Sequence, residues 1–195
     1  MEITNKKGLN LLYYPQFYDK EGADYIFKQL EKDIIYNSDE ESKVRVFGKQ
    51  YYIPRKQVGY GDEGTTYSFA GTKVKAKPWL PILEDIREKL FFVLGENYNF
   101  VLVNKYRDGN DMIHYHRDDE KDLGNNPKIA SLSFGATREF VFKCIEDDSI
   151  ETYDLNSGDL IVMCDPTNKK YKHSISKDPS IKSPRINLTF RNIIL

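Results

Sequence analysis

"RINLTFR", residues 185–191, alternates without a break. Arg185, Asn187, Thr189 and Arg191 fall on one side of an extended chain, and Ile186, Leu188 and Phe190 on the other. The apolar side suits packing against a helix. The polar side carries two arginines, about 20 Å apart at the ~3.3 Å rise of a strand. Sheet twist and the long stems bring their heads closer. Two guanidinium forks facing one cavity suit a small dicarboxylate held at both ends. The competing reading is an edge strand whose polar face lies in solvent. "FVLVNKYRDG", residues 100–109, favours the cavity, because Asn104 and Tyr106 share a face with Leu102 and offer hydrogen bonds that a carboxylate accepts.

Outward from these strands, two helices stand out. One follows Asp19, an N-cap residue, with Ala23, Ile26, Phe27, Leu30 and Ile34 at helical spacing. The other opens near "KPWLP" and carries Ile82, Leu83, Ile86, Leu90 and Val93 before Gly95, a C-terminal stop. Most of the remainder reads as short strands separated by Gly, Asn, Asp and Pro. "SFGATREF" looks like a hairpin. The expected fold is mainly β (α+β): a double-stranded β-helix, or jelly roll, backed by two helices in the N-terminal half. An immunoglobulin-like sandwich is the competitor, and it needs no polar interior. One domain is expected over residues 1–195. Residues 1–97 would supply the helices and substrate-recognition strands, and 98–195 the jelly-roll core.

The 29 basic and 30 acidic residues balance, so bulk charge does not mark a nucleic-acid binder, and any polyanion must meet a local patch. Candidate patches are Arg45, Lys49, Arg55 and Lys56; Lys73, Lys75 and Lys77; and Lys169, Lys170 and Lys172. Cys144 and Cys164 have no paired spacing and read as reduced packing residues. "MEITNKKGLNLLYYPQF" lacks the apolar run of a secretory signal, and no stretch approaches the ~18 apolar residues of a membrane span. A monomer in a reducing compartment, nucleus or cytoplasm, is expected, with no membrane partner.

"HYHRDDE", residues 114–120, spends two of the chain's three histidines. One assignment takes His116 and Asp118 with the distant His173, the facial triad of non-haem ferrous oxygenases, which leaves positions open for a bidentate co-substrate and oxygen. A second takes His114, His116 and Glu120, as in cupins, but "DPTNKKYKH" lacks the glycine that a cupin's later motif carries. A third is a solvated turn with no metal. The H-x-D pair, a late histidine and then R-x5-R on an alternating strand favour the first. His114 is then a non-ligand at the rim, and Arg117 points outward.

These stretches, with "IASLSFGATREFVF", "SPRINLTFRNIIL", "YYIPRKQVGYGDEGTTYSFAG" and "KPWLPILEDIREKL", resemble the AlkB family of iron- and 2-oxoglutarate-dependent dioxygenases. The resemblance runs from about Leu11 to the C-terminus and is nearest the animal-type members acting on alkylated double-stranded DNA. It implies Fe(II) on His116, Asp118 and His173, the three residues that carry the catalytic centre. Tyr106 and Arg185 would hold the distal carboxylate of 2-oxoglutarate. Asn104 and Arg191 would lie near its other end, with Asn187 and Thr189 lining the floor. It also implies use of O2, release of succinate, and hydroxylation of an N-methyl group that leaves as formaldehyde.

On the substrate side, the resemblance makes alkylated DNA, or RNA, the partner. A methylated base in a duplex must be flipped out to be reached. Phe69 would stack on it, and Tyr67, Arg55, Asp119 and Glu120 would contact its edge or close the pocket. Ordinary core packing is the alternative for Tyr67 and Phe69. In "RVFGKQ" Gly48 suggests a hairpin tip, and the duplex-acting relatives carry an aromatic finger there, so Phe47 is the candidate wedge. The expected activity is demethylation of 1-methyladenine and 3-methylcytosine in DNA. The alternatives are an RNA demethylase on the same scaffold and a non-catalytic nucleic-acid-binding relative.

Overall fold

Asp19 caps the first helix through its Oδ1, which accepts the Gly22 N–H at 2.8 Å. In this computed structural model all residues are described except 39, 47–48, 70–71 and 195, and the side chains of 44–46, 49, 69 and 72 also fall outside the description. A hairpin of β1 (Glu2–Lys6) and β2 (Leu9–Tyr14) leads into α1 (Lys20–Asp33). The hairpin β3 (Lys43–Val46) and β4 (Lys49–Tyr52) precedes β5 (Lys56–Gly61), and β6 (Thr66–Phe69) pairs with β7 (Thr72–Lys75). Next come α2 (Pro81–Leu94), β8 (Phe100–Tyr106), β9 (Ile113–His116), β10 (Ile129–Gly135) and β11 (Arg138–Cys144). The chain ends with β12 (Ile150–Leu155), β13 (Leu160–Met163), the short α3 (Thr167–Lys170), β14 (Tyr171–Ile175) and β15 (Arg185–Arg191).

Two antiparallel sheets carry the fold. The larger has the order β1-β2-β13-β10-β15-β8-β5, and the smaller β12-β11-β14-β9. The expected jelly roll backed by helices is what forms. Ile186, Leu188 and Phe190 turn toward α1 and α2 and pack with Ala23, Ile26, Leu30, Leu83, Ile86 and Leu90. A second apolar cluster fills the space between the sheets, with Leu102, Phe142, Ile161 and Met163 among its members. β15 therefore has one layer of helix on its apolar face and the inter-sheet cavity on its polar face.

Two expectations need correction, and one element was not foreseen. "SFGATREF" is not a hairpin: β10 pairs with β13 and β15, whereas β11 pairs with β12 and β14 in the other sheet. The chain changes sheets at Gly135, whose φ of +88° suits glycine and whose Cβ, if present, would meet the Pro184 carbonyl at 2.4 Å. Val93 does not join the apolar face of α2, being 45% exposed. The β1–β2 hairpin has no counterpart in the sequence reading, although Leu9 and Leu11 are fully buried. The wedge candidate Phe47, with Gly48, lies outside the described residues.

Among the described residues no helix is long and apolar enough to cross a membrane. Leu188 is fully buried on β15, an interior strand of the larger sheet. Leu188→Ala should cost about 2–5 kcal/mol of unfolding free energy in urea titrations, since the tight helix–sheet layer cannot close over the void. A loss below about 0.5 kcal/mol, the scale of surface substitutions, would contradict that packing.

Candidate active site

His116 ends β9, and His173 lies in the middle of β14, directly across the ladder from it. The pairing puts both rings on the inner face of the smaller sheet, with centroids 4.2 Å apart. Asp118 follows on the loop after β9. One ligand atom from each of His116, Asp118 and His173 lies within 4.8 Å of the others. His116 Nδ1 is 2.9 Å from the His114 carbonyl oxygen, so a proton on Nδ1 donates there and leaves Nε2 free to ligate. Nε2 is 3.7 Å from Asp118 Oδ1. His173 Nδ1 is buried without a hydrogen-bond partner. His114 is itself exposed and stays outside the cluster, which removes the cupin-type ligand set. Arg117 points outward, as alternation requires, and pairs with Asp119 at 2.5 Å.

The charge states suit a divalent cation. Burial lowers the pKa of both histidines, His173 to about 3, so both rings are neutral ligands at physiological pH. Burial also pushes Asp118 upward, but Arg191 and the two histidines outweigh it and hold the carboxyl at about 2. Arg191 Nη2 donates to Asp118 Oδ2 at 2.7 Å, and both side chains are almost wholly buried.

The floor of the cavity comes from β15, β10 and β8. Asn187 Nδ2 donates to Ser131 Oγ at 2.8 Å and to the Leu132 carbonyl, and Thr189 Oγ1 donates to Asn187 Oδ1. Asn104 accepts from Arg55 Nε at 2.8 Å. Arg185 is 1% exposed, and its Nη2 donates to Ser133 Oγ at 2.8 Å. Its Nε and Nη1 are buried with no partner. Its guanidinium lies 5.3 Å from the Tyr106 ring, and burial drags its pKa down to about 10. Buried, unpaired guanidinium N–H groups are costly to leave so, and a carboxylate is the natural partner for them. The residues present thus fit both a divalent metal on the two histidines and Asp118 and a diacid reaching toward Arg185.

Arg55, Tyr67, Asn104, Tyr106, His116, Asp118, Glu120, His173, Asn187, Thr189 and Arg191 line a single cavity. Tyr67 is buried, carries the Arg191 guanidinium 4.8 Å from its ring, and its hydroxyl engages Glu120. Asp119 and Arg185 are not among the residues that line the cavity, although Arg185 lies over the ring of Tyr106, which is. Asp119 is held at the surface by Arg117, and the Phe69 side chain lies outside the described residues. Ser131, which lines the cavity, and Ser133, which accepts from Arg185, were missed by the sequence reading. Their signal was present, since "IASLSFG" alternates as "RINLTFR" does. Phe140, whose ring centroid is 5.3 Å from that of His173, and Met163 also line the cavity and carried no polar signal.

Asp118→Ala and His173→Ala should each abolish tight Mn(II) binding followed by electron paramagnetic resonance, while His114→Ala leaves it within about threefold of wild type. A wild-type affinity in the Asp118 variant would rule out this ligand set.

Comparison with known proteins agrees with this geometry. Residues 10–191 match the 2OG-Fe(II) oxygenase superfamily. The DNA oxidative demethylase ALKBH2 of Bos taurus is 43% identical over 96% of this chain and 70% of its own length. That of Homo sapiens is 43% identical over 93% and 73%. The alpha-ketoglutarate-dependent dioxygenase alkB homolog 3 of Mus musculus is 35% identical over 92% of this chain and 65% of its own. The solved structure of OsALKBH1 superposes with a TM-score of 0.65 over 97% of this chain and all of its own, at 18% identity, and so speaks to the fold. With the metal cluster and the match across nearly its whole length, the chain belongs to the 2OG-Fe(II) oxygenase superfamily.

Proposed function

We propose that this chain is an Fe(II)- and 2-oxoglutarate-dependent demethylase of alkylated DNA. It would act on 1-methyladenine and 3-methylcytosine. The observation that carries this reading is a cavity that holds the His-Asp-His cluster and is lined by Tyr106, over whose ring lies Arg185, an arginine with two unpartnered N–H groups. The 43% identity to proteins named DNA oxidative demethylase supplies the substrate class. The balance is one N-methyl group, O2 and 2-oxoglutarate giving the N–H base, formaldehyde, succinate and CO2. Iron and 2-oxoglutarate supply the oxidising power.

The chain's own residues bind and orient. His116, Asp118 and His173 would hold the metal beside the cavity. Arg185, with Tyr106, would take the far carboxylate of the co-substrate. Asn187 and Thr189 are locked by their own hydrogen bonds and give the floor a fixed shape. The base must leave its stack to enter. Tyr67, Arg55 and Glu120 form the wall it would meet. The two lesions are cations, and Glu120 Oε2 is buried there with no hydrogen-bond partner, a suitable counter-charge. Phosphate contacts from the run at Lys169–Lys172 have less support, because Lys169 and Lys170 are already paired with Asp165 and Glu146.

Incubation with iron and 2-oxoglutarate should release formaldehyde from DNA bearing either lesion, and leaving out either component should stop it. A preference for matched RNA would replace DNA by RNA in this reading, and binding without turnover would leave a non-catalytic relative. Glu120→Gln should lower kcat/KM on the cationic lesions about tenfold and change turnover of a neutral etheno adduct much less, as expected for a lost charge-assisted contact. Equal losses on both would remove Glu120 from the counter-charge role.

A further inference from the structure

Arg138 opens β11 and is 2% exposed, yet nothing in the reaction described above uses it. Its guanidinium spends its donors on main-chain carbonyls. Nη1 donates to Asp108 O at 3.2 Å, and Nη2 to Asp111 O at 2.9 Å and Ser176 O at 2.6 Å. Asp108 and Asp111 lie on the loop between β8 and β9, and Ser176 on the loop between β14 and β15. One side chain therefore clasps the two loops beside Tyr106, the cavity-lining residue over whose ring Arg185 also lies. The same loops meet backbone to backbone at Gly109. Its N–H donates to Ile181 O at 2.9 Å, and its carbonyl accepts the Asp178 N–H at 2.8 Å. The approach is so close that a Cβ on Gly109 would fall 1.6 Å from the Asp178 carbonyl oxygen.

The electrostatics give this clasp a direction. Arg138 lies 5.5 Å from the centroid of the Tyr106 ring, and Arg185 lies 5.3 Å from the same ring. Among the described residues neither guanidinium has a carboxylate at ion-pair distance. Asp111, whose carbonyl accepts from Arg138, spends its carboxylate on a two-pronged pair with Arg107 at 2.7–2.8 Å. Two buried cations around one phenol ring repel each other, and the repulsion falls when an anion binds beside them. Burial lowers the pKa of both arginines; at Arg138 the phenol of Tyr106 and the carboxylates of Asp178, Asp111 and Asp108 work against it, and at Arg185 Tyr106 does so while Arg138 adds to the lowering.

We propose that Arg138 is a positioning residue for the distal carboxylate of the co-substrate. It fixes the two loops and the Tyr106 ring that frame Arg185, and it adds a second positive charge behind that ring. It touches no substrate atom. The proposal rests on the reading that Tyr106 and Arg185 take the far end of 2-oxoglutarate. It separates the two ends of the cavity, since His116 and His173 sit further along their strands from the clasp.

Calorimetric titration of Mn(II)-loaded protein with 2-oxoglutarate and with pyruvate tests this. Pyruvate keeps the metal-chelating 2-oxo acid and lacks the distal carboxylate. Arg138→Met should weaken 2-oxoglutarate about tenfold, the scale seen when a supporting hydrogen-bond partner is removed, and pyruvate less than about twofold. Arg138→Lys keeps the charge but not the three-carbonyl fork, so it should recover part of the loss. If Arg138→Met fails to fold, Arg138→Lys alone should still weaken 2-oxoglutarate more than pyruvate. Equal weakening of both acids, or of neither, overturns the proposal. Wild-type protein that binds pyruvate but gains nothing from the distal carboxylate would instead overturn the co-substrate reading on which it stands.

Discussion

A buried ion pair, Arg191 to Asp118 at 2.7 Å, ties the last strand of the larger sheet to the loop that carries a metal ligand on the smaller one. Their side chains are 5% and 3% exposed, so neither charge is dissipated by water. Removing one partner of such a pair typically costs about 3–5 kcal/mol, because the other is left charged and buried. The pair keeps Asp118 ionised against the upward push of its own burial. It also fixes which oxygen faces which way: Oδ2 accepts from Arg191, and Oδ1 turns toward His116. The third ligand of the cluster is thus oriented before any metal arrives.

The strand that carries Arg191 explains why a polar cavity can exist inside a small β fold. β15 lies between β10 and β8, so its backbone is paired on both edges from Arg185 to Phe190. Its side chains divide cleanly, with three apolar residues against the helices and four polar ones facing the opposite sheet. Serines of β10 at the same level satisfy Asn187 and one nitrogen of Arg185. Among the buried side-chain atoms left without a hydrogen-bond partner are several around the site: Arg185 Nε and Nη1, Arg191 Nε, His173 Nδ1 and Glu120 Oε2. Charged groups among them, the two guanidinium groups above all, are the costliest to leave unpaired and are suited to an anionic ligand.

Much of this was legible in the sequence because the governing signals are local. Strict alternation in 185–191 gave both faces of β15, and Asp19 and Gly95 marked real helix ends. H-x-D with a late histidine assigned the metal cluster, since residues two apart share a side of an extended segment. The failures came where tertiary context decides. Whether "SFGATREF" folds as a hairpin or crosses between sheets depends on which strands are available to pair, and those lie elsewhere in the chain. Asp119 looked like a pocket residue beside Glu120, yet Arg117 holds it at the surface. Arg138 gave no signal at all, because its role is written in three carbonyls from two loops distant in sequence.

The central claim is that the metal cluster and Arg185 grip the two ends of one small diacid. Calorimetric titration of 2-oxoglutarate into metal-free protein, Mn(II)-loaded protein and Mn(II)-loaded Arg185→Met tests it most directly. The account predicts one-to-one binding that is strong only when both the metal and Arg185 are present. Binding that survives the loss of either one unchanged would contradict it.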